Sequence, residues 1–282
     1  MLKERITIKE IKRIFSNKEL KILYLTKLFE SKEDAPPIEN TIAKIDNQII
    51  STWEYELSKN ILRELFKQSE KYRRCRDCGG QIQDALQSWS ENNIGEFSWP
   101  FSAMNFDNRV HQINRMEISE NEKDSILCSD VKRFRRIKDI NSKRNDYIEY
   151  LIFEHNENVI PTFTNSKGID FYINGEPYDQ KASKSAGGDF IREYGEDYRE
   201  IALNHPELVA KSLYEHQDKS RFGDEPRLFV VYLDSDISAE RTKNIILNTN
   251  FMSSIEIEFD YKHSRNNIQH HSTHCFIVLL HN

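Results

Sequence analysis

Two acids and a lysine lie close together near the middle of the chain, and their types suit phosphate chemistry. Asp170 precedes the dipeptide Asn174-Gly175, Asp179 follows it, and Lys181 comes two residues later. Carboxylates brought face to face repel each other, and a divalent cation between their oxygens removes the conflict. A lysine beside such an ion can position a water or stabilise charge on a phosphate. These residue types therefore indicate phosphodiester hydrolysis.

The spacing of these residues predicts a tight β-hairpin. Asn-Gly between two runs of alternating apolar residues is a strong signal for a two-residue turn, and paired positions then sum to 349. Asp170 is expected opposite Asp179, with Lys181 on the same face because side chains alternate along a strand. The opposite, apolar face is expected to carry Phe171, Ile173, Tyr178 and Ala182. The alternatives are a four-residue loop with another register, and solvated acids with Lys181 in a surface salt bridge.

The elements expected around the hairpin describe an α/β fold with a mixed sheet. A short amphipathic helix precedes the hairpin, and a helical insert, a buried strand, a capped helix and two further strands follow it. Their expected positions are 146–156, 187–223, 227–234, 238–251, 254–261 and 273–282. Ser238 is the expected cap of the last helix.

The first half of the chain is expected to be mainly helical. Apolar spacing predicts helices within residues 6–29 and 45–65, whereas 88–130 show no clear period and are expected to be irregular. A domain boundary is expected near residue 140. Residues 1–140 would then serve DNA contact or dimerisation, and residues 141–282 would be the catalytic core.

At the hairpin the chain resembles the PD-(D/E)xK nuclease superfamily, the fold of most type II restriction endonucleases. Asp170 matches the first acid of that signature, and Asp179-Gln180-Lys181 matches its acid–x–lysine tripeptide. The proline often found before the first acid is missing, and Asp stands at 179 where Glu is more frequent. The resemblance covers roughly residues 145–282. It implies a restriction-endonuclease-like mixed sheet flanked by helices.

The resemblance also implies roles for these residues. Asp170 and Asp179 would bind Mg²⁺, and Lys181 would position the attacking water. The family often adds a glutamate from the preceding helix, for which Glu149 is the first candidate and Glu154 the second; an exposed helix acid is the alternative for Glu149. The implied activity is cleavage of double-stranded DNA at a short specific sequence.

The implied partners are double-stranded DNA, a second copy of the chain in a homodimer, and a cognate DNA methyltransferase in the same restriction-modification system. Two other functions stay open at this point. One is a nuclease of the same superfamily that acts in repair or in a mobile element. The other is a non-catalytic DNA-binding protein.

Two basic runs, residues 71–76 and 132–144, are candidates for phosphate contacts, although such runs can also be plain solvated surface. Together with residues near the hairpin and in the insert, the expected DNA-binding residues are Arg73, Arg74, Arg76, Lys132, Arg133, Arg135, Arg136, Lys184, Lys219 and Arg221.

Composition excludes several other classes. With 40 basic and 46 acidic side chains the net charge is −6, so the chain carries no uniform basic coat. No apolar run is long enough for a membrane span, and no phosphate-binding glycine loop occurs. Four cysteines without an export signal fit free thiols in a reducing cytoplasm. Cys75-x-x-Cys78 is half of a zinc motif, and the histidines of 263–275 fit a polar loop rim better than a histidine–metal nuclease.

Overall fold

The structure is a computed structural model that describes residues 5–6, 18–30, 53–92, 103–163, 168–217, 222–264 and 267–282. Its helices are α1 (Lys18–Glu30), α2 (Tyr55–Gln68), α3 (Glu70–Glu91), α4 (Ala103–Asn114), α5 (Glu120–His155), α6 (Gly188–Tyr194), α7 (Tyr198–Asn204), α8 (Pro206–Glu215) and α9 (Ala239–Leu247). Its strands are β1 (Arg5–Ile6), β2 (Trp53–Glu54), β3 (Val159–Pro161), β4 (Phe171–Ile173), β5 (Glu176–Ser183), β6 (Arg227–Tyr232), β7 (Ile255–Ser264) and β8 (Asn267–Leu280). A 3₁₀ turn, Gly195–Asp197, joins α6 to α7.

A six-stranded mixed sheet forms the centre of the fold, in the order β3-β4-β5-β6-β8-β7. The first three strands are an antiparallel meander, β5, β6 and β8 run parallel, and β7 is antiparallel to β8. Every residue of β6 is buried, as expected for an almost wholly apolar strand covered on both faces. The α/β class and the mixed sheet flanked by helices are confirmed.

The helices cover the two faces of the sheet separately. Leu228 and Val230 of β6 share a core with α3, α5 and α9, whereas Phe229 and Val231 share one with α6, α7 and α8. A third core joins α1 and α2 to Tyr172 of β4. The β4–β5 hairpin therefore lies between two cores. Phe171, Ile173 and Tyr178 pack with α3 and α5, whereas Tyr172 packs with α1 and α2.

The turn of the β4–β5 hairpin forms as its sequence predicts. Asn174 and Gly175 both have positive φ, 54° and 85°, as a two-residue type I′ turn requires. The side-chain amide of Asn174 accepts a hydrogen bond from Asn158 Nδ2 at 2.8 Å and donates one to Met252 O at 3.2 Å. These bonds fasten the turn to neighbouring loops.

Helix α5 is far longer than the expected helix at 146–156. It starts at a capping box, in which Ser119 Oγ accepts from the Glu122 amide and Glu122 Oε2 accepts from the Ser119 amide. No glycine or proline interrupts residues 120–155, so the helix continues. The expected boundary near residue 140 falls inside it.

The expectation that 88–130 are irregular is wrong for the described residues other than the turn at 115–119. Helix α3 extends to Glu91, α4 spans Ala103–Asn114 and α5 begins at Glu120. The apolar period of these helices is weak because most of their residues are polar and only a narrow apolar stripe is buried, so the sequence pattern did not indicate a helix. Residues 93–102 lie outside the described part of the chain.

Most of the other expected elements are confirmed with shifted ends. Ser238 caps α9 by accepting from the Arg241 amide at 3.1 Å, and the insert contains α6, α7 and α8. In the N-terminal half, Ile6 and Trp53 lie in short strands and not in the expected helices. Helices α1 and α2 lie within or overlap the two expected helical ranges, and residues 7–17 and 31–52 lie outside the described part of the chain. Among the described helices, none is both long and apolar enough to cross a membrane.

Candidate active site at the β4–β5 hairpin

The hairpin register is the one that the turn predicts for three of the four expected pairs, whereas the fourth, Asp170 with Asp179, lies outside the strand pairing. Phe171 pairs with Tyr178, Tyr172 with Pro177 and Ile173 with Glu176, so that each pair sums to 349. Ala182 is the exception to the predicted faces, because it is exposed.

Asp170 lies one residue beyond the paired part of β4. Its amide donates to Tyr178 O at 2.9 Å, and its carbonyl accepts from the Thr162 amide at 3.0 Å. Its Oδ2 accepts from the Gln180 amide at 2.7 Å. The two backbone bonds fix the Asp170 main chain between Thr162 and β5, and the third holds its carboxylate against the backbone of β5, next to Asp179.

Asp179 and Lys181 share one face of β5, as predicted from strand alternation. Asp179 is buried, with 6% of its surface exposed, and its amide donates to Pro226 O. Lys181 Nζ lies 2.5 Å from Asp179 Oδ2, while about half of the lysine side chain (48%) stays exposed. The lysine therefore neutralises the buried acid and still faces solvent.

The electrostatics of Asp170 reflect this crowding. Burial raises the pKa of Asp170, and the nearby Asp179 carboxylate raises it further. The bond from the Gln180 amide and the charges of Lys71 and Lys181 act in the opposite direction. The two carboxylates thus repel each other in a partly buried environment, as the sequence predicts for two acids placed close together on the hairpin.

Glu149 of α5 belongs to the same electrostatic neighbourhood. Its side chain is only 13% exposed and forms an ion pair with Lys71 of α3. Burial raises the pKa of Glu149 to about 6; Lys71 lowers it, and the Asp170 charge raises it. Glu154, the second candidate, instead accepts from the Tyr72 hydroxyl at 2.9 Å and lies 3.7 Å from Lys67.

Lys71 is the residue of this site that the sequence analysis missed. It begins the basic run 71–76, whose pattern indicates phosphate contacts, and it is separated from Glu149 by most of α3 and α5. Only the antiparallel packing of these helices brings the two together, with Arg74 and Asp146 as the next ion pair at 3.2 Å. Nothing in the local sequence distinguishes Lys71 from the arginines that follow it.

The hairpin acids fit a magnesium ion in type and number. Carboxylate oxygens are hard ligands, and Mg²⁺ commonly uses one or two of them and fills its other positions with water. In the described residues, no group of three histidine, cysteine or acidic side chains is arranged to hold a metal. A site built by Asp170 and Asp179 alone is compatible with that finding, and their mutual repulsion is what a cation would relieve.

The expected DNA-binding residues lie in separate places. Arg73, Arg74 and Arg76 are exposed at the start of α3, where Arg76 pairs with Asp77 at 3.0 Å. In α5, Lys132 and Arg135 are exposed and Arg133 and Arg136 half-buried, and Lys184 is exposed just after β5. Lys219 and Arg221 lie outside the described residues.

The first part of the second basic run, residues 132–136, lies away from the basic run of α3. Arg74 pairs with Asp146 of α5, whereas Arg135 precedes Asp146 by about three helical turns, or roughly 16 Å at 1.5 Å per residue. The run in α3 is therefore beside the candidate active site, and residues 132–136 are at a distance from it.

The histidine-rich segment is part of a strand, so the expected loop rim is wrong for most of it. In β8, His270 pairs with Asp260 at 2.9 Å, His271 with Asp224 at 3.0 Å and His274 with Glu176 at 2.8 Å.

Cys75 and Cys78 are buried thiols of α3. Burial raises the pKa of Cys75 to about 12, and the Cys78 thiol donates to Arg74 O. Neither thiol belongs to a metal-binding group among the described residues.

Comparisons with protein-family models, with curated proteins and with solved structures find no match to this chain. The interpretation of the site therefore depends on the side chains that the fold brings together.

Proposed function

We propose that this protein is a Mg²⁺-dependent endonuclease of the PD-(D/E)xK type, which cleaves double-stranded DNA at a short specific sequence as a type II restriction enzyme. The observation that carries the proposal is the joint placement of Asp170, Asp179 and Lys181 on one hairpin, with Glu149 beside them. Support also comes from the chain order, because a helix precedes the acid-bearing strands and a parallel buried strand follows them.

Each residue has a role that its environment supports. Asp170 and Asp179 would hold Mg²⁺, which would supply electrostatic stabilisation of the charge developing on the phosphate. Lys181, half-exposed and already paired with Asp179, is placed to hold the attacking water. Glu149, with its pKa near 6, is mostly ionised at neutral pH and can accept a proton there.

Binding of the substrate is assigned to positive side chains around the hairpin. Arg73, Arg74 and Arg76 at the start of α3, and Lys184 at the end of β5, are the exposed cations closest in sequence to the site residues. Such residues would contact phosphates and set the register on the duplex, without reading its sequence. A two-fold dimer would let two copies cut both strands of a palindromic site.

The direct test is a plasmid digest with the purified full chain. Discrete fragments that need Mg²⁺ and disappear with a chelator are expected, and sequencing their ends would give the recognition site. An intact plasmid that is nevertheless shifted in a gel would replace the nuclease with a non-catalytic DNA-binding protein. A methyltransferase gene beside this one is expected for a restriction enzyme, and its absence would favour a repair or mobile-element nuclease.

The residue-level test is Asp179→Ala. It removes a metal-binding carboxylate and the partner of Lys181, so cleavage should fall by about 10³-fold or more, while DNA binding in a gel shift persists. The matched control is Asp260→Ala, which removes an exposed acid of β7 and should leave cleavage unchanged. Full cleavage by Asp179→Ala would contradict the assignment.

A further inference from the structure

Lys71 contacts the candidate active site from outside the hairpin. Its Nζ forms an ion pair with Glu149 Oε1 and donates a hydrogen bond to Thr162 O at 3.2 Å. Both charged side chains are largely buried, 19% and 13% exposed. The lysine therefore joins the first turn of α3 to α5 and to the residue after β3.

Thr162 connects this lysine to the first acid of the hairpin. The Thr162 carbonyl accepts from Lys71, and the Thr162 amide donates to the Asp170 carbonyl at 3.0 Å. Lys71 is thus linked to the backbone of Asp170 through a single residue. Its positive charge reaches the Asp170 carboxylate as well.

The position of Lys71 differs from that of the arginines beside it. Arg74, one turn later, pairs with Asp146 but is more than half exposed, at 57%. Arg73 and Arg76 also face solvent. The same short stretch of helix thus places one cation inside the site and three on its outer surface.

We propose that Lys71 is a positioning residue of the active site, which holds the Glu149 carboxylate beside Asp170. The inference rests on the proposed nuclease function and deepens it. Before Mg²⁺ binds, the ammonium offsets part of the negative charge of Glu149 and Asp170. Removing it would release Glu149 from its position and take a positive charge away from Asp170, whose carboxylate would then attract a divalent cation more strongly.

Two measurements on the full chain test this role, with Lys71→Met, Lys71→Arg and a control. The control is Lys27→Met, which removes another ion pair between helices, Lys27–Glu64 at 2.8 Å, far from the hairpin in sequence. Mg²⁺ affinity is measured by calorimetry without DNA, and cleavage is measured at saturating Mg²⁺.

Lys71→Met is expected to bind Mg²⁺ about five- to tenfold more tightly than the wild type and to cleave about tenfold or more slowly. Lys71→Arg should restore most of both values, because arginine can form the same ion pair. Lys27→Met should match the wild type in both. A merely structural role of Lys71 would not tighten metal binding.

The outcomes separate the inference from the function. If Lys71→Met matches Lys27→Met while the wild type binds Mg²⁺ and cleaves, the role of Lys71 is overturned and the nuclease stands. If the wild type neither binds Mg²⁺ nor cleaves, the proposed function is overturned, and the inference with it.

A second variant covers the case in which Lys71→Met does not fold. The double variant Lys71→Met/Glu149→Gln removes both charges of the ion pair, so neither is left buried without its partner. It is expected to cleave as slowly as Glu149→Gln alone, because both substitutions disturb one unit. A further loss of cleavage by the full factor expected for Lys71→Met would overturn the role.

Discussion

Glu149→Gln is expected to gain stability relative to the wild type as the pH rises from 4.5 to 8, while it slows cleavage. The substitution replaces a buried, ionisable carboxyl by a neutral amide of nearly the same shape. Burial raises the pKa of Glu149 from an ordinary 4.5 to about 6, despite the ion pair with Lys71. Ionisation of Glu149 therefore costs more in the folded state than in the unfolded state.

The size of the gain follows from the pKa difference. A rise from 4.5 to about 6 corresponds to about 2 kcal/mol of unfolding free energy at pH 8, at 1.36 kcal/mol per pH unit. The protonated form favours the folded state, so this contribution is present below pH 4.5 and is lost as the pH rises to 6. Relative to the wild type, Glu149→Gln should thus gain about 2 kcal/mol between pH 4.5 and pH 8.

Urea denaturation in the presence of a chelator measures this difference at the two pH values. Taking the difference between them cancels the effects of the amide that do not depend on pH. The control is Glu154→Gln on the same helix, whose carboxylate is more exposed, at 28%, and contacts Tyr72 and Lys67. No comparable gain is expected there. If Glu149→Gln is equally destabilising at both pH values, the interpretation of Glu149 as a buried charge is refuted.

Adjacent glycines of α3 should respond oppositely to alanine in urea denaturation. A Cβ at Gly79 would lie 2.9 Å from the Tyr147 ring, so Gly79→Ala should lower the unfolding free energy by about 1–3 kcal/mol. A Cβ at Gly80 meets nothing within 4 Å, so Gly80→Ala should raise it by about 0.5–1 kcal/mol. Equal effects of the two substitutions would contradict the close packing of α3 on α5. At the turn, Asn174→Ala should cost about 1–2 kcal/mol for the positive φ alone. Asn174→Gly should avoid this backbone cost, because glycine adopts positive φ freely, and should lose only the hydrogen bonds of the side-chain amide. If Asn174→Gly is no more stable than Asn174→Ala, the positive φ is not the source of the loss.

The hairpin could be predicted from the sequence because its determinants are local. The turn needs positive φ at two successive residues, which Asn174 and Gly175 adopt at low cost, and the register follows from the loop length. The alternation of side chains then places Asp179 and Lys181 on one face. The capped helix at Ser238 was predictable for the same reason, since a cap involves residues within one turn.

The helices of the N-terminal half were predicted less well. Residues 103–114 and 120–145 carry many polar side chains, so their apolar period is weak. The helical state of α5 depends on its packing against α3, as in the buried cluster of Trp89 with Ile137 and Ile140. Such contacts connect residues far apart in the chain, and no local pattern reports them.

The sequence by itself determined the two acids, the lysine and the turn that aligns them, because these are set by residue type and by interactions within a few residues. Only the tertiary structure decided that Glu149 and Lys71 join the site. Their meeting requires α3 and α5 to pack antiparallel at the distance that Gly79 and Tyr147 allow. That packing depends on the shared core beneath the sheet, and so on contacts distributed over the whole chain.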